Sequence, residues 1–260
     1  MAEYEAKYEF ITLEKDDQVA RITLNRPKHN VLNIPMMNEL NKELAAIAAD
    51  ESLKCVVITG EGRSFCAGVE VSDHAPDNVD EMVAVFNKIF ELINMIDIPV
   101  IAAVNGACLG GGMEVAIACD IVIASKRAIF GQPEIKLGFF PPYAALRLPE
   151  LVGPAKAIEI VTTGKNYTAK EARKLGFVSQ VASEEEFSDL VEKNIKEICH
   201  SSPLIIRMNK RAVKRHMGTS FFQGVDLISN YFLKTLMKTE DTLEGIASFE
   251  EKRRPVWKNK

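Results

Sequence analysis

Residues 8–14 and 19–25 alternate apolar and polar positions and read as two strands, with Lys15-Asp16-Asp17 as the turn. Pro27 stops the second strand in the loop 26–30. Pro35 suits the first turn of a helix, and Met36, Met37, Leu40, Leu44, Ile47 and Ala48 keep helical spacing to about Ala49. A short apolar run, 55–59, predicts a buried strand, followed by the glycine-punctuated loop 60–68 and the polar stretch 70–80. Met82, Val85, Phe86, Ile89, Phe90 and Ile93 mark an amphipathic helix, and 99–104 another strand. Then come Gly110-Gly111-Gly112, a nearly all-apolar helix at 113–118 and a strand at 121–124. Beyond Pro154 the pattern is mostly helical: 155–163, 169–175, 183–200, 203–217, 221–238 and 242–251, with one strand at 177–181. Thr168 and Ser183 are N-cap candidates, each with a glutamate three residues on, Glu171 and Glu186.

Strands feeding glycine turns into helices indicate an α/β layered fold, loosely strand-strand-helix in its units and without a clear sequence repeat. No low-complexity linker interrupts it, which predicts a catalytic core at 1–200 and a helical extension at 201–260. The chain has 260 residues, 47% hydrophobic and 26% charged, enough for a substantial core. A net charge of −4 argues against general nucleic-acid binding, and the basic stretch 207–215 reads as a solvated helix face. The acidic N-terminus lacks the apolar core of a signal peptide, and no run is long enough to span a membrane. Five scattered cysteines without a C-x-x-C pair read as reduced thiols of a cytoplasmic protein.

The candidate chemistry lies in the two glycine loops. Each follows a buried strand, and two such loops can each offer one backbone N–H to the same oxygen. Spacing alone leaves equal room for turns needed only for packing. Neither loop has the dinucleotide or P-loop pattern. His29, His74, His200 and His216 complete no convincing triad, and no cluster has zinc spacing. Glu114 lies early in the apolar helix, where a carboxylate costs desolvation unless it has a partner or a task. Glu134 taken alone reads as a solvated loop residue. Together they make an acid pair of the kind used in proton transfer.

Nearly the whole chain resembles the crotonase, or enoyl-CoA hydratase/isomerase, superfamily. The matching stretches are Asn25-Arg26-Pro27 with Asn30 and Leu32-Asn33, Phe65-Cys66-Ala67-Gly68, NGACLGGGMEVAIACD, FGQPEIKLG, TGKNYTAKEARKLGFV and EGIASFEEKRRPVW. The resemblance implies a spiral of strand-strand-helix units with a helical C-terminal trimerisation region, a homotrimer or hexamer, and an acyl-CoA thioester substrate. It implies no metal and no separate cofactor, coenzyme A being part of the substrate. It maps an oxyanion hole to the N–H groups of Val69 and Gly111, and a water-sharing pair to Glu114 and Glu134. Coenzyme A is expected at Lys28, Arg63 and Ala67, with Lys252 or Lys258 from the tail. Where typical hydratases have a glycine-rich turn, this chain has Phe139-Phe140-Pro141-Pro142-Tyr143, which points to an acyl pocket of Phe139, Phe140, Pro142 and Tyr143. That segment and residues 70–77 look like the alicyclic dienoyl-CoA hydratases acting on cyclohexa-1,5-diene-1-carbonyl-CoA. A straight-chain hydratase, an isomerase, a thioester hydrolase and an RNA-binding homologue are the alternatives.

Overall fold

The computed structural model describes residues 8–16, 18–214, 217–218 and 221–260; residues 1–7, Asp17 of the expected turn, and Arg215 and His216 lie outside them. In chain order the elements are β1 (Ile11–Lys15), β2 (Val19–Leu24), α1 (Ile34–Ala49), β3 (Cys55–Gly60), β4 (Ser64–Cys66), α2 (Val79–Met95), β5 (Val100–Val104), β6 (Ala107–Leu109) and α3 (Gly111–Ala118). They continue with β7 (Ile121–Ser125), β8 (Ile129–Gly131), α4 (Pro142–Val152), α5 (Pro154–Thr163), β9 (Asn166–Thr168), α6 (Ala169–Leu175) and β10 (Gln180–Ala182). The last four are α7 (Phe187–Cys199), α8 (Pro203–Lys214), α9 (Phe221–Lys234) and α10 (Glu240–Glu250).

The longer strands form a six-stranded sheet in the order β1-β2-β3-β5-β7-β10, parallel except for the β1/β2 hairpin. The short strands form a second sheet, β4-β6-β8-β9, parallel except at β9. Each turn of the chain gives one strand to each sheet and then a helix: β3-β4-α2, β5-β6-α3, β7-β8-α4. This is the α/β strand-strand-helix spiral. β3 and β5 are continuous apolar runs because helices cover both faces of a parallel sheet. One large core joins α1, α2 and α3 to the sheets, and a smaller one seats Val191 and Ile195 of α7 on the opposite face. All eight residues of α3 are buried, which explains a sequence that is apolar apart from Glu114.

Several expectations are corrected. β1 starts at Ile11, because the N–H groups of Glu9 and Phe10 turn to the Glu39 carboxylate instead of a strand. The strand expected at 177–181 is displaced to β10, since Phe177 packs edge-on against Phe130 and Val178 is buried in the core. Ser183 and Glu186 exchange hydrogen bonds as expected, but they close a turn and α7 begins only at Phe187. The helix expected at 221–238 ends at Lys234 and is followed by a 3₁₀ turn, Leu236–Lys238. β4, β6, β8, β9 and α4 were not foreseen. The basic stretch is not a solvated face: Lys210 and Lys214 pair with Asp120, Arg211 pairs with Asp97, and Arg207 is buried.

The tail ties the C-terminal helices to the core. Asp241, 1% exposed, accepts from the N–H groups of Lys258 (2.7 Å) and Asn259 (3.0 Å) and from the Ser202 hydroxyl. Arg207 links the Glu51 carbonyl to Asn259, each at 2.7 Å.

Candidate active site

Three short parallel strands end side by side, and the functional candidates follow their last residues. β4 leads into Ala67-Gly68-Val69, β6 into Gly110-Gly111, and β8 into Gln132-Pro133-Glu134. Carboxyl ends of adjacent parallel strands are where α/β folds collect ligands. Between these turns, α2 and the segment 137–142 lies a cleft of about 420 Å³, with Val69, Met82, Phe86 and Phe139 among its apolar lining.

The two expected donors are neighbours in it. Gly111 is the first residue of α3, so its N–H has no carbonyl within the helix. Val69 bridges Leu32, but the bonds run through Leu32 N–H to the Gly68 carbonyl (2.9 Å) and Glu70 N–H to the Leu32 carbonyl (2.7 Å). Val69's own N–H is therefore directed away from that bridge. A Cβ on Gly111 would stand 2.6 Å from Val69 Cγ2. Gly110 has φ +52°, and a Cβ there would meet Glu134 Oε1 at 2.7 Å. The glycines thus let the Glu134 carboxylate and the Val69 side chain approach the same helix terminus. Asn30, 2% exposed, holds the first loop by donating to the carbonyls of Glu61, Ser64 and Phe65 at 2.8–3.2 Å.

Both acids face the cleft. Glu114 is 2% exposed, and its Oε1 accepts from Ala144 N–H at 2.8 Å. Burial pushes its carboxyl up to about 7; the Ala144 N–H pulls against this, the charge of Glu134 adds to it, and the Tyr143 N–H opposes it. Glu114 therefore sits at the N-terminus of α4, where backbone N–H groups and the helix dipole favour an anion. Glu134 stands on the 3₁₀ turn Pro133–Leu137 rather than in an open loop, and burial raises it to about 7 as well. With its amide nitrogen turned inward, the fully buried Gln132 donates to both Glu134 oxygens at 3.0 Å. An apolar cleft with two carboxyls near neutrality and two free N–H donors suits proton transfer with charge developing on an oxygen.

The cleft also gathers Ala67, Phe139, Phe140 and Pro142. Tyr143 is a correction: its ring stacks on Phe90 (3.9 Å, 11°), because the first turn of α4 carries it into the packing against α2, and it does not line the cleft. Lys28 and Arg63 are exposed on loops bordering β4 and do not line it. Lys252 and Lys258 belong to the tail, where Lys258 pairs with Glu240, so this chain does not bring them to its own cleft. Sequence reading missed Gln132, the Ala144 N–H, His74, Met82 and Phe86 as parts of the site. Pro142, at a first helical position, was the signal that could have revealed α4.

The sequence matches the family "Enoyl-CoA hydratase/isomerase" over residues 14–260. A probable mitochondrial enoyl-CoA hydratase of Dictyostelium discoideum is 38% identical over 256 residues, 96% of this chain and 91% of that one. The cyclohexa-1,5-dienecarbonyl-CoA hydratase of Thauera aromatica is 31% identical, covering 96% of each. The crystal structure of an enoyl-CoA hydratase from Bacillus anthracis matches with TM-score 0.89 and 30% identity, over 97% of this chain and 100% of that one.

Proposed function

The chain belongs to the enoyl-CoA hydratase/isomerase family, and from that premise we propose that it adds water to the conjugated double bond of an acyl-CoA thioester. The observation that carries the reading is the convergence of Glu114 and Glu134 on one apolar cleft beside two backbone donors. A double-bond isomerase can work with one carboxylate moving one proton; a second acid near neutrality has a task when water is the co-substrate. The thioester oxygen lies between the N–H groups of Val69 and Gly111. Glu114, favoured as the anion by the N–H groups of Ala144 and Tyr143, takes a proton from the water as its oxygen bonds to carbon. Electron density moves to the thioester oxygen, where the fixed donors stabilise it, and Glu134 gives its proton to the other carbon. These steps need neither a metal nor a redox cofactor.

The finer reading is a planar alicyclic dienoyl ester. Support comes from the aromatic lining at Phe139, Phe140 and Phe86 and from the Thauera relative, although a relative named for enoyl-CoA hydration is more identical. The coenzyme A phosphates meet Lys28 and Arg63, with Lys252 or Lys258 supplied by a neighbouring copy in a trimer or dimer of trimers. The protein is read as cytoplasmic; among the described residues no helix is long and apolar enough to cross a membrane. The test is kcat/KM for cyclohexa-1,5-diene-1-carbonyl-CoA against crotonyl-CoA. A preference of roughly tenfold or more for the ring ester is expected, the scale of pocket discrimination. Equal turnover would leave a general enoyl-CoA hydratase, and thiol release without hydration would mean a hydrolase.

A further inference from the structure

We propose that His74 is a positioning residue for acyl specificity: it clamps the Phe139 ring and so keeps this cleft narrow and selective for planar acyl groups. The inference rests on the acyl-CoA reading of the cleft. His74 ends the 3₁₀ turn Val71–His74, just after the Val69 donor, whereas Phe139 follows the turn that carries Glu134. Their rings stack with centroids 4.9 Å apart and planes 3° from parallel, and both reach the cleft surface. The stack therefore joins the two segments that bear the oxyanion donor and one acid.

The imidazole is held, not free to swing. Its Nδ1 lies 3.0 Å from the Glu70 carbonyl oxygen, and since a carbonyl only accepts, Nδ1 carries the hydrogen. Glu70 is itself fixed by Arg26 at 3.0 Å, and Asp73 accepts the Ile34 N–H at 3.0 Å. The Phe139 N–H donates to the Glu134 carbonyl at 3.1 Å, which ties its backbone and leaves the orientation of the phenyl ring to its packing; its neighbours Gly138 and Phe140 are exposed, and Gly138 has φ +83° with nothing within 4 Å of an added Cβ. A parallel, offset partner ring is what fixes the plane of such a phenyl group. A ring held flat fits a flat acyl group closely, while a flexible saturated chain gains little from it.

The experiment compares His74→Ala and His74→Phe with wild type, in both binding and turnover. Binding uses two unreactive probes, benzoyl-CoA (planar) and butyryl-CoA (flexible), by calorimetry. Wild type should bind benzoyl-CoA more tightly. His74→Ala should weaken that preference about tenfold, the lower end of pocket discrimination, while His74→Phe, which keeps a stacking ring, should retain it. In turnover, His74→Ala should raise KM for the ring ester more than it lowers kcat. An unchanged preference in His74→Ala, or an equal loss in His74→Phe, would overturn the clamp. Because the binding probes need no chemistry, failure of the hydratase reading would show as absent turnover with the binding preference intact.

Discussion

Glu114 and Glu134 are both raised to about 7 by burial, and each accepts hydrogen bonds that favour its anion, Glu114 from the Ala144 N–H and Glu134 from the Gln132 amide, so their division into base and acid is a proposal that the pH profile tests. As pH falls, both become protonated and the base is lost; as pH rises, both ionise and the acid is lost. kcat/KM is therefore expected to be bell-shaped with its maximum near 7, the two limbs belonging to the pair. Glu114→Gln or Glu134→Gln should each lower hydration roughly 10²–10⁴-fold while the ester still binds. Glu114→Gln should flatten the acid limb and Glu134→Gln the alkaline one; wild-type turnover in either removes that residue from the mechanism. Stability follows with the opposite sign to an ion-paired acid. A carboxyl raised from 4.5 to about 7 opposes folding only when ionised, so Glu114→Gln should raise Tm at pH 8 and not at pH 4. At Gly110 the backbone is left-handed and an added Cβ meets Glu134 Oε1, so Gly110→Ala should cost at least about 10² in rate by displacing that acid. Gly62 has φ +72° with open space around it, so Gly62→Ala should cost about 1–2 kcal/mol of stability and little activity, separating strain from displacement. The glycines and Glu114 could be picked out in the sequence because their residue types are costly or unusual where they stand, whereas Glu134, which alone reads as a solvated loop residue, was reached through the family resemblance. The N–H of Ala144 could not, since any residue but proline offers one.

Among elements, α6 was legible down to its cap. Thr168 Oγ1 accepts from Glu171 N–H (3.3 Å) and the Glu171 carboxylate accepts from Thr168 N–H (2.7 Å), the reciprocal box expected from residue spacing. Thr168→Ala should cost about 1 kcal/mol and lower Tm by about 2 °C while leaving kcat unchanged, read by calorimetry and assay. An unchanged Tm would mean the box adds nothing here. The short strands were illegible for a definite reason. Ser64–Cys66, Ala107–Leu109 and Ile129–Gly131 span three residues each, too few to show a period. They exist because neighbouring strands supply their hydrogen bonds, and those partners are distant in sequence. The same three strands aim the site, so the elements that mattered most to function carried the weakest local signal.

Over the whole molecule, the tail and the outer helices predict two behaviours. Asp241→Ala leaves the Ser202 hydroxyl and the N–H groups of Lys258 and Asn259 without their acceptor, and should cost about 2–4 kcal/mol, with earlier proteolysis at the C-terminal helices than in wild type. Cleavage and melting equal to wild type would show that the tail holds nothing. α9 and α10 expose Val225, Leu227, Phe232, Leu233, Ile246 and Phe249, the last 85% exposed, apolar surface that the trimer reading would bury between copies. Sedimentation of wild type should give three or six copies, and Leu233→Glu with Phe249→Glu should shift it towards one; a monomeric wild type removes the assembly and with it any coenzyme A contact from a neighbour's tail. The sequence by itself determined the layered α/β class, the apolar cores of β3, β5 and α3, the glycine turns and the two acids, because each is written in residue types within a few positions of one another. Only the tertiary structure decided that β4, β6 and β8 end together, that α4 points its N–H groups at Glu114, that Tyr143 turns away from the cleft, and that the basic face of α8 meets Asp97 and Asp120. Each of these depends on contacts between segments about 20 or more residues apart, which no local pattern encodes.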